Sequence, residues 1–205
     1  MLLYLLISIP FFLLALVIHE YAHGWVANKL GDSTARHSGR LTFNPMAHID
    51  PVGTVILPLF LLLLHSPVVF GWAKPVPVNF SRLKNPKEDM FWVAIAGPGA
   101  NFIAALFFAL LIKIPFVAGI GILRLIFTQL LVMNVALAVF NLLPVPPLDG
   151  SRIMFSVLPN NLAYRYIKLE PYGMFILIAL LWLGIMNSVI WPVISVLIKI
   201  LGVSL

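Results

Sequence analysis

The chain has 205 residues, 61% hydrophobic and only 10% charged, with 13 Lys+Arg against 7 Asp+Glu. An ordinary soluble domain carries about 25% charged residues, so this composition excludes a soluble monomer, a disordered chain and a collagen-like one. With no Cys, disulfides and thiolate metal sites are excluded too. The net charge of +6 sits beside apolar segments and reads as membrane topology, with no nucleic-acid partner. What remains is an all-α polytopic membrane protein in a lipid bilayer, with about four to six transmembrane helices.

Residues 1–18 are uncharged, and the helical pattern continues to Leu30 before Gly31, a natural C-cap. Residues 1–10 lack Lys and Arg, and no small-x-small cleavage site follows, so this is read as a retained transmembrane helix and not as a signal peptide. A polar stretch, 32–50, contains Arg36, His37, Arg40, Asn44-Pro45 and His48. Residues 52–64 are uncharged but interrupted by Pro58. That run is too short for a full span and is expected to be re-entrant or buried. Residues 68–80 mix valines and aromatics with Gly71, Pro75 and Pro77, which predicts an extended or hairpin-like segment. An edge strand there would be able to pair with an unwound substrate segment.

After a charged loop at 81–89 come three clearer spans. Residues 90–112 hold Gly97-Pro98-Gly99-Ala100-Asn101, and residues 125–143 hold Gln129, Asn134 and Asn141. Residues 171–198 are uncharged, with a break expected around 187–192 and either one crossing or two. No loop is long enough for a soluble domain, so 1–205 reads as a single membrane-embedded domain.

The chemistry centres on His19-Glu20-Tyr21-Ala22-His23, an H-E-x-x-H pattern on a predicted helix. Spacing of i and i+4 puts both imidazoles on one face, where they can bind one Zn²⁺. Glu20, about 100° away, can deprotonate a water there. Ionisable residues next to an uncharged span are costly in a membrane and functional by default. Gly24 removes a side chain beside the site and would let another helix or the substrate approach.

A zinc site needs a third protein ligand. Extension to the metzincin pattern would require a glycine and a histidine where this chain has Val26 and Lys29, so that route is closed. Glu88 and Glu170 lie in charged segments. Asp149 follows the prolines 144, 146 and 147, which force an extended path, and precedes Gly150, which permits a turn. The local pattern leaves two readings open, a carboxylate ligand and an Asp-Gly turn capping the next helix.

Together these motifs resemble the site-2 protease family of intramembrane zinc metalloproteases. His19-Glu20-x-x-His23 is similar to its first motif and Asn141-x-x-Pro144-x-Pro146-x-Leu148-Asp149-Gly150 to its second, with Gly97-Pro98-x-x-Asn101 matching a third element between them. Gly39-Arg40-Leu41, Asn44-Pro45, His48-Ile49-Asp50-Pro51 and the 70–77 segment look like the compact subgroup without PDZ or CBS domains. The resemblance implies Asp149 as third zinc ligand, Glu20 as catalytic base, and transmembrane proteins or peptides as substrates. Asn141 is a candidate to bind substrate or polarise the scissile carbonyl, against plain inter-helix hydrogen bonding. Asn101 is read either as packing support or as substrate-proximal. His48 and Asp50 read more simply as a turn before Pro51 than as a second metal site.

Topology supplies a separate constraint. For His19, His23 and Asp149 to meet, an odd number of crossings must separate the first span from 125–143, so 52–64 must not cross. One side then holds Lys29, Arg36, Arg40, Lys74, Arg82, Lys84, Lys87, Arg152, Arg165 and Lys168, and the other Lys113 and Arg124, with Lys199 unassigned. Positive-inside asymmetry places the site toward the cytoplasm, in a multi-pass protein of the cell membrane.

Overall fold

The computed structural model describes residues 2–64 and 71–203, with side chains from Ser8 onward. Helix α1 (Leu2–Lys29) ends where the sequence places its stop: Asp32 N–H folds back to Ala27 O, and Gly31 takes φ +115°, a value that favours glycine. Its Ser8–Lys29 part is long and apolar enough to cross a membrane.

Helix α2 (Pro51–Leu63) is apolar but short, and begins as a π-helical turn. Asp50 starts it, its Oδ1 accepting the Val52 and Gly53 amides, so this carboxylate caps a helix. The chain then returns alongside its own outward path. Trp72 N–H donates to Gly53 O at 3.1 Å, and Thr54 Oγ1 donates to Trp72 O at 2.9 Å. A Cβ on Gly53 would lie 2.2 Å from the Trp72 ring. Residues 53 and 54 at the start of this helix therefore lie side by side with Trp72 after it.

Residues 71–79 form an irregular strap, and no β-ladder occurs among the described residues; 68–70 lie outside them. The physical reason is in its amides. Pro75 and Pro77 have no N–H. The N–H groups of Trp72, Lys74, Val76 and Asn79 go to Gly53 O, His48 O, the Glu20 carboxylate and the Asp32 carboxylate. Arg40 adds bonds to the carbonyls of Lys74 and Pro75.

Helices α3 (Pro86–Ile112) and α4 (Gly121–Asn141) are the two other long spans. They pack on α1 and on the last helix around a core that includes Ala105, Phe108, Leu131, Val135, Ile194 and Ile198. Two short helices follow, α5 (Asp149–Val157) and α6 (Asn160–Ile167). The Lys87 ammonium, near the start of α3, donates to Leu158 O and Asn160 Oδ1 between them, tying α5 to α3.

Helices α7 (Gly173–Trp182) and α8 (Trp191–Ile200) belong to a pair of segments bent by 71°. The break comes at Gly184, φ +82°, ahead of the 187–192 stretch expected from sequence. Pro192 lies inside the continuous Met186–Ile200 helix, directly after its π-helical turn 186–190. The pair begins beside the 144–147 turn, where a Cβ on Gly173 would lie 2.4 Å from Pro146 O. It ends at Gly202, beside the Lys113 ammonium at the far end of α3. The pair thus runs from beside the 144–147 turn to beside Lys113, which brings Lys199 to the Lys113 end of the bundle. Counting the pair once gives four spans, the lower end of the expected number. Trp182 is 82% and Phe175 73% exposed; such apolar exposure is a hydrocarbon-facing surface.

Candidate metal centre

Residues Ala15, His19 and His23 recur every fourth position on α1, and Val93, Gly97 and Asn101 do so on α3. The two stripes pack antiparallel. His23 Nδ1 donates to Val93 O at 2.7 Å, and His19 Nδ1 donates to Asn101 Oδ1 at 2.6 Å. Asn101 Nδ2 reaches Ala15 O at 2.9 Å. Gly97 lies between the two bonded pairs, where a Cβ would be 2.3 Å from His23 Nε2 and 2.7 Å from His19 Nε2. The absence of a side chain at 97 is what lets α3 close on the imidazoles.

Because both Nδ1 atoms carry the donated proton, both Nε2 atoms present lone pairs to a common point. The α4–α5 connection brings Asp149 to that point. Gly150 packs on the end of α4, where a Cβ would meet Leu142 O at 2.3 Å, and Asp149 opens α5 beside it. Asp149 Oδ2 lies 3.0 Å from His19 Nε2 and 3.2 Å from His23 Nε2, and the two Nε2 atoms are 3.0 Å apart.

The three groups fit a cation. Tetrahedral zinc bonds of about 2.0–2.1 Å imply ligand atoms roughly 3.3 Å apart, close to the spacing seen. Asp149 Oδ2 is buried and receives no hydrogen bond. Three electron-pair donors facing one another need a positive centre between them, and a bound cation satisfies all three at once. Among the described residues this is the one such cluster of His, Asp or Glu. His48 is fully buried with Nε2 on Thr42 O, apart from any such group.

The remaining candidates lie around the cluster. Glu20 follows His19 on α1, and its Oε2 accepts the Val76 N–H of the strap at 2.7 Å. Val76 packs on Gly24, so the segment that Gly24 admits is the strap. Asn141, at the end of α4, donates from Nδ2 to Leu137 O. Asn101 is fully buried, and its bonds go to His19, Ala15 and Asn134. Sequence reasoning missed Val93, whose carbonyl leaves no side-chain signal, and the close contact at Gly97, which it had read only as part of the Gly97-Pro98-x-x-Asn101 element.

A family model described as Peptidase family M50 matches residues 116–184. "Putative zinc metalloprotease YwhC" of Bacillus subtilis (strain 168) is 36% identical over 94% of this chain and 89% of its own length. "Putative zinc metalloprotease Rip2" of Mycobacterium tuberculosis (strain ATCC 25618 / H37Rv) is 26% identical over 94% of this chain and 73% of its own. Its namesake in Mycolicibacterium smegmatis (strain ATCC 700084 / mc(2)155) is 26% identical over 82% and 64%. No solved structure gives a significant match. Identity of this order along nearly the whole chain decides the family: the chain belongs to peptidase family M50, the site-2 proteases.

Proposed function

We propose that this single membrane-embedded domain is a zinc endopeptidase that hydrolyses peptide bonds within or near transmembrane segments of other membrane proteins, from the cytoplasmic side. The observation that carries the reading is the convergence of Asp149 from α5 with His19 and His23 at 3.0–3.2 Å, beside Glu20 on the histidines' own helix. In this reading those three residues hold one zinc ion. Zinc in such a site supplies Lewis acidity, which makes water a nucleophile near neutral pH and polarises the scissile carbonyl.

The chain's own residues do the rest. Val76 N–H holds Glu20 Oε2, so proton transfer falls to Oε1. Glu20 takes the proton of the attacking water and returns it to the leaving amine. Asn141 spends one N–H on Leu137 O and has a second with which to hydrogen-bond the substrate carbonyl. Orientation follows from charge: the basic residues cluster at the Asp149 end, whereas Lys113, Arg124 and Lys199 lie at the other.

The test compares wild type with Glu20→Gln in native membranes, mapping new membrane-protein termini by proteomics and measuring zinc in the purified proteins. New termini inside apolar spans should appear with wild type only, while both proteins retain zinc. Equal cleavage by Glu20→Gln would refute the assigned base. Zinc retained by His19→Ala and Asp149→Ala would refute the ligand set.

A further inference from the structure

Behind His19 runs a chain of amides that crosses three helices. Asn134 on α4 donates from Nδ2 to the Leu130 carbonyl at 2.8 Å, which turns its Oδ1 outward. That Oδ1 accepts from Asn101 Nδ2 on α3 at 2.8 Å. Asn101 Nδ2 spends its other proton on Ala15 O of α1. With both N–H groups committed, Asn101 can offer His19 only its oxygen, and His19 Nδ1 must be the donor. Asn101 and Asn134 are both fully buried.

We propose that Asn134 and Asn101 form a polarity relay that fixes the tautomer and ring orientation of His19, and so set the affinity of the metal centre. The direction of this chain cannot reverse. It begins and branches at backbone carbonyls, Leu130 O and Ala15 O, which only accept. A flipped Asn101 amide would set two oxygens, its own and that of Asn134, against each other and would aim N–H at a ring nitrogen. The relay therefore dictates that the Nε2 lone pair of His19 faces His23 and Asp149. Asn101 and Asn134 are positioning residues, acting through His19. A generic inter-helix hydrogen bond between asparagines would require neither amide to point one way.

The inference rests on the proposed ligand set, and its test separates the two. Nitrogen-15 NMR of histidine-labelled, zinc-free protein in micelles, with His19→Gln used for assignment, should find His19 protonated at Nδ1. An Nε2–H tautomer would overturn the relay whatever the site binds. Zinc affinity by chelator competition should fall about 10–100-fold in Asn101→Leu, as expected for loss of an outer partner. Asn134→Leu should lower affinity in the same direction and add nothing in the Asn101→Leu background. Should Asn101→Leu fold poorly, Asn134→Leu and the NMR tautomer still decide. Unchanged affinity in both leucine variants would reduce the asparagines to packing. Loss of zinc in His19→Ala, measured alongside, confirms the site independently.

Discussion

Adding one methyl group at Gly97 tests whether helix packing and metal binding are the same interaction. Alanine there would place its Cβ 2.3 Å from His23 Nε2 and 2.7 Å from both Nε2 and Cε1 of His19, where ordinary contact starts at 3.4 Å. The rings cannot swing clear, because Val93 O and Asn101 Oδ1, on the same stripe of the same helix, hold their other nitrogens. Either α3 moves away from α1 by about 1 Å or the imidazoles leave their ligand positions, and overpacking of this kind costs roughly 1–3 kcal/mol. If that cost falls on the bound form, zinc affinity drops by about tenfold for each 1.4 kcal/mol. Gly99→Ala is the matched control, since its Cβ would meet nothing within 4 Å. The assay is zinc content of the purified proteins together with chelator competition. Gly99→Ala should stay fully loaded, and Gly97→Ala should lose metal. Full loading of Gly97→Ala at wild-type affinity would refute the reasoning.

Other parts of the molecule give equally direct tests. Val76→Pro deletes the N–H that holds Glu20, between two prolines that already keep the strap extended; it should lower cleavage in native membranes while zinc is retained, and Val76→Ala, which keeps the amide, should not. The Asp32 carboxyl feels burial, which raises its pKa, but Thr34 and the amides of Asn79 and Thr34 lower it further, for a net depression below the ordinary value. Its contribution to stability is therefore present above the unfolded-state value of about 3.9 and is lost as pH falls through the folded value. The melting-temperature gap between wild type and Asp32→Asn should be widest near neutral pH and close on acidification. Gly184→Ala forces a side chain into φ +82° and should destabilise the protein by about 1 kcal/mol or more, read from its thermal unfolding midpoint.

The scarcity of groups able to bind a metal left few candidates, but the local pattern at Asp149 left a helix cap open as well, and only the family resemblance singled it out as a candidate ligand. His19, Glu20 and His23 announce themselves by spacing, and the prolines before Asp149 mark an unusual exit from a span. The ends of α1 and the short, returning α2 were equally readable, one from Gly31, the other from length and charge parity. The strap was read as strand-like because local pattern registers valines and aromatics but not partners. Its bonds come from Glu20, Asp32 and Arg40, separated from it by 56, 47 and 34 residues. No local periodicity encodes acceptors so distant. The break falls at Gly184 because a left-handed glycine ends a helix, whereas Pro192 is accommodated inside the next one beside its π-helical turn.

The antiparallel stripes of α1 and α3 restrict how a substrate can arrive. Parting these two helices would pull His23 from Val93 and His19 from Asn101, dismantling the site at the moment of use. That seam is therefore a fixed wall of the cluster, held shut by the same groups that orient the two imidazoles. A molecule that wedged between α1 and α3 would therefore turn both imidazoles away from Asp149.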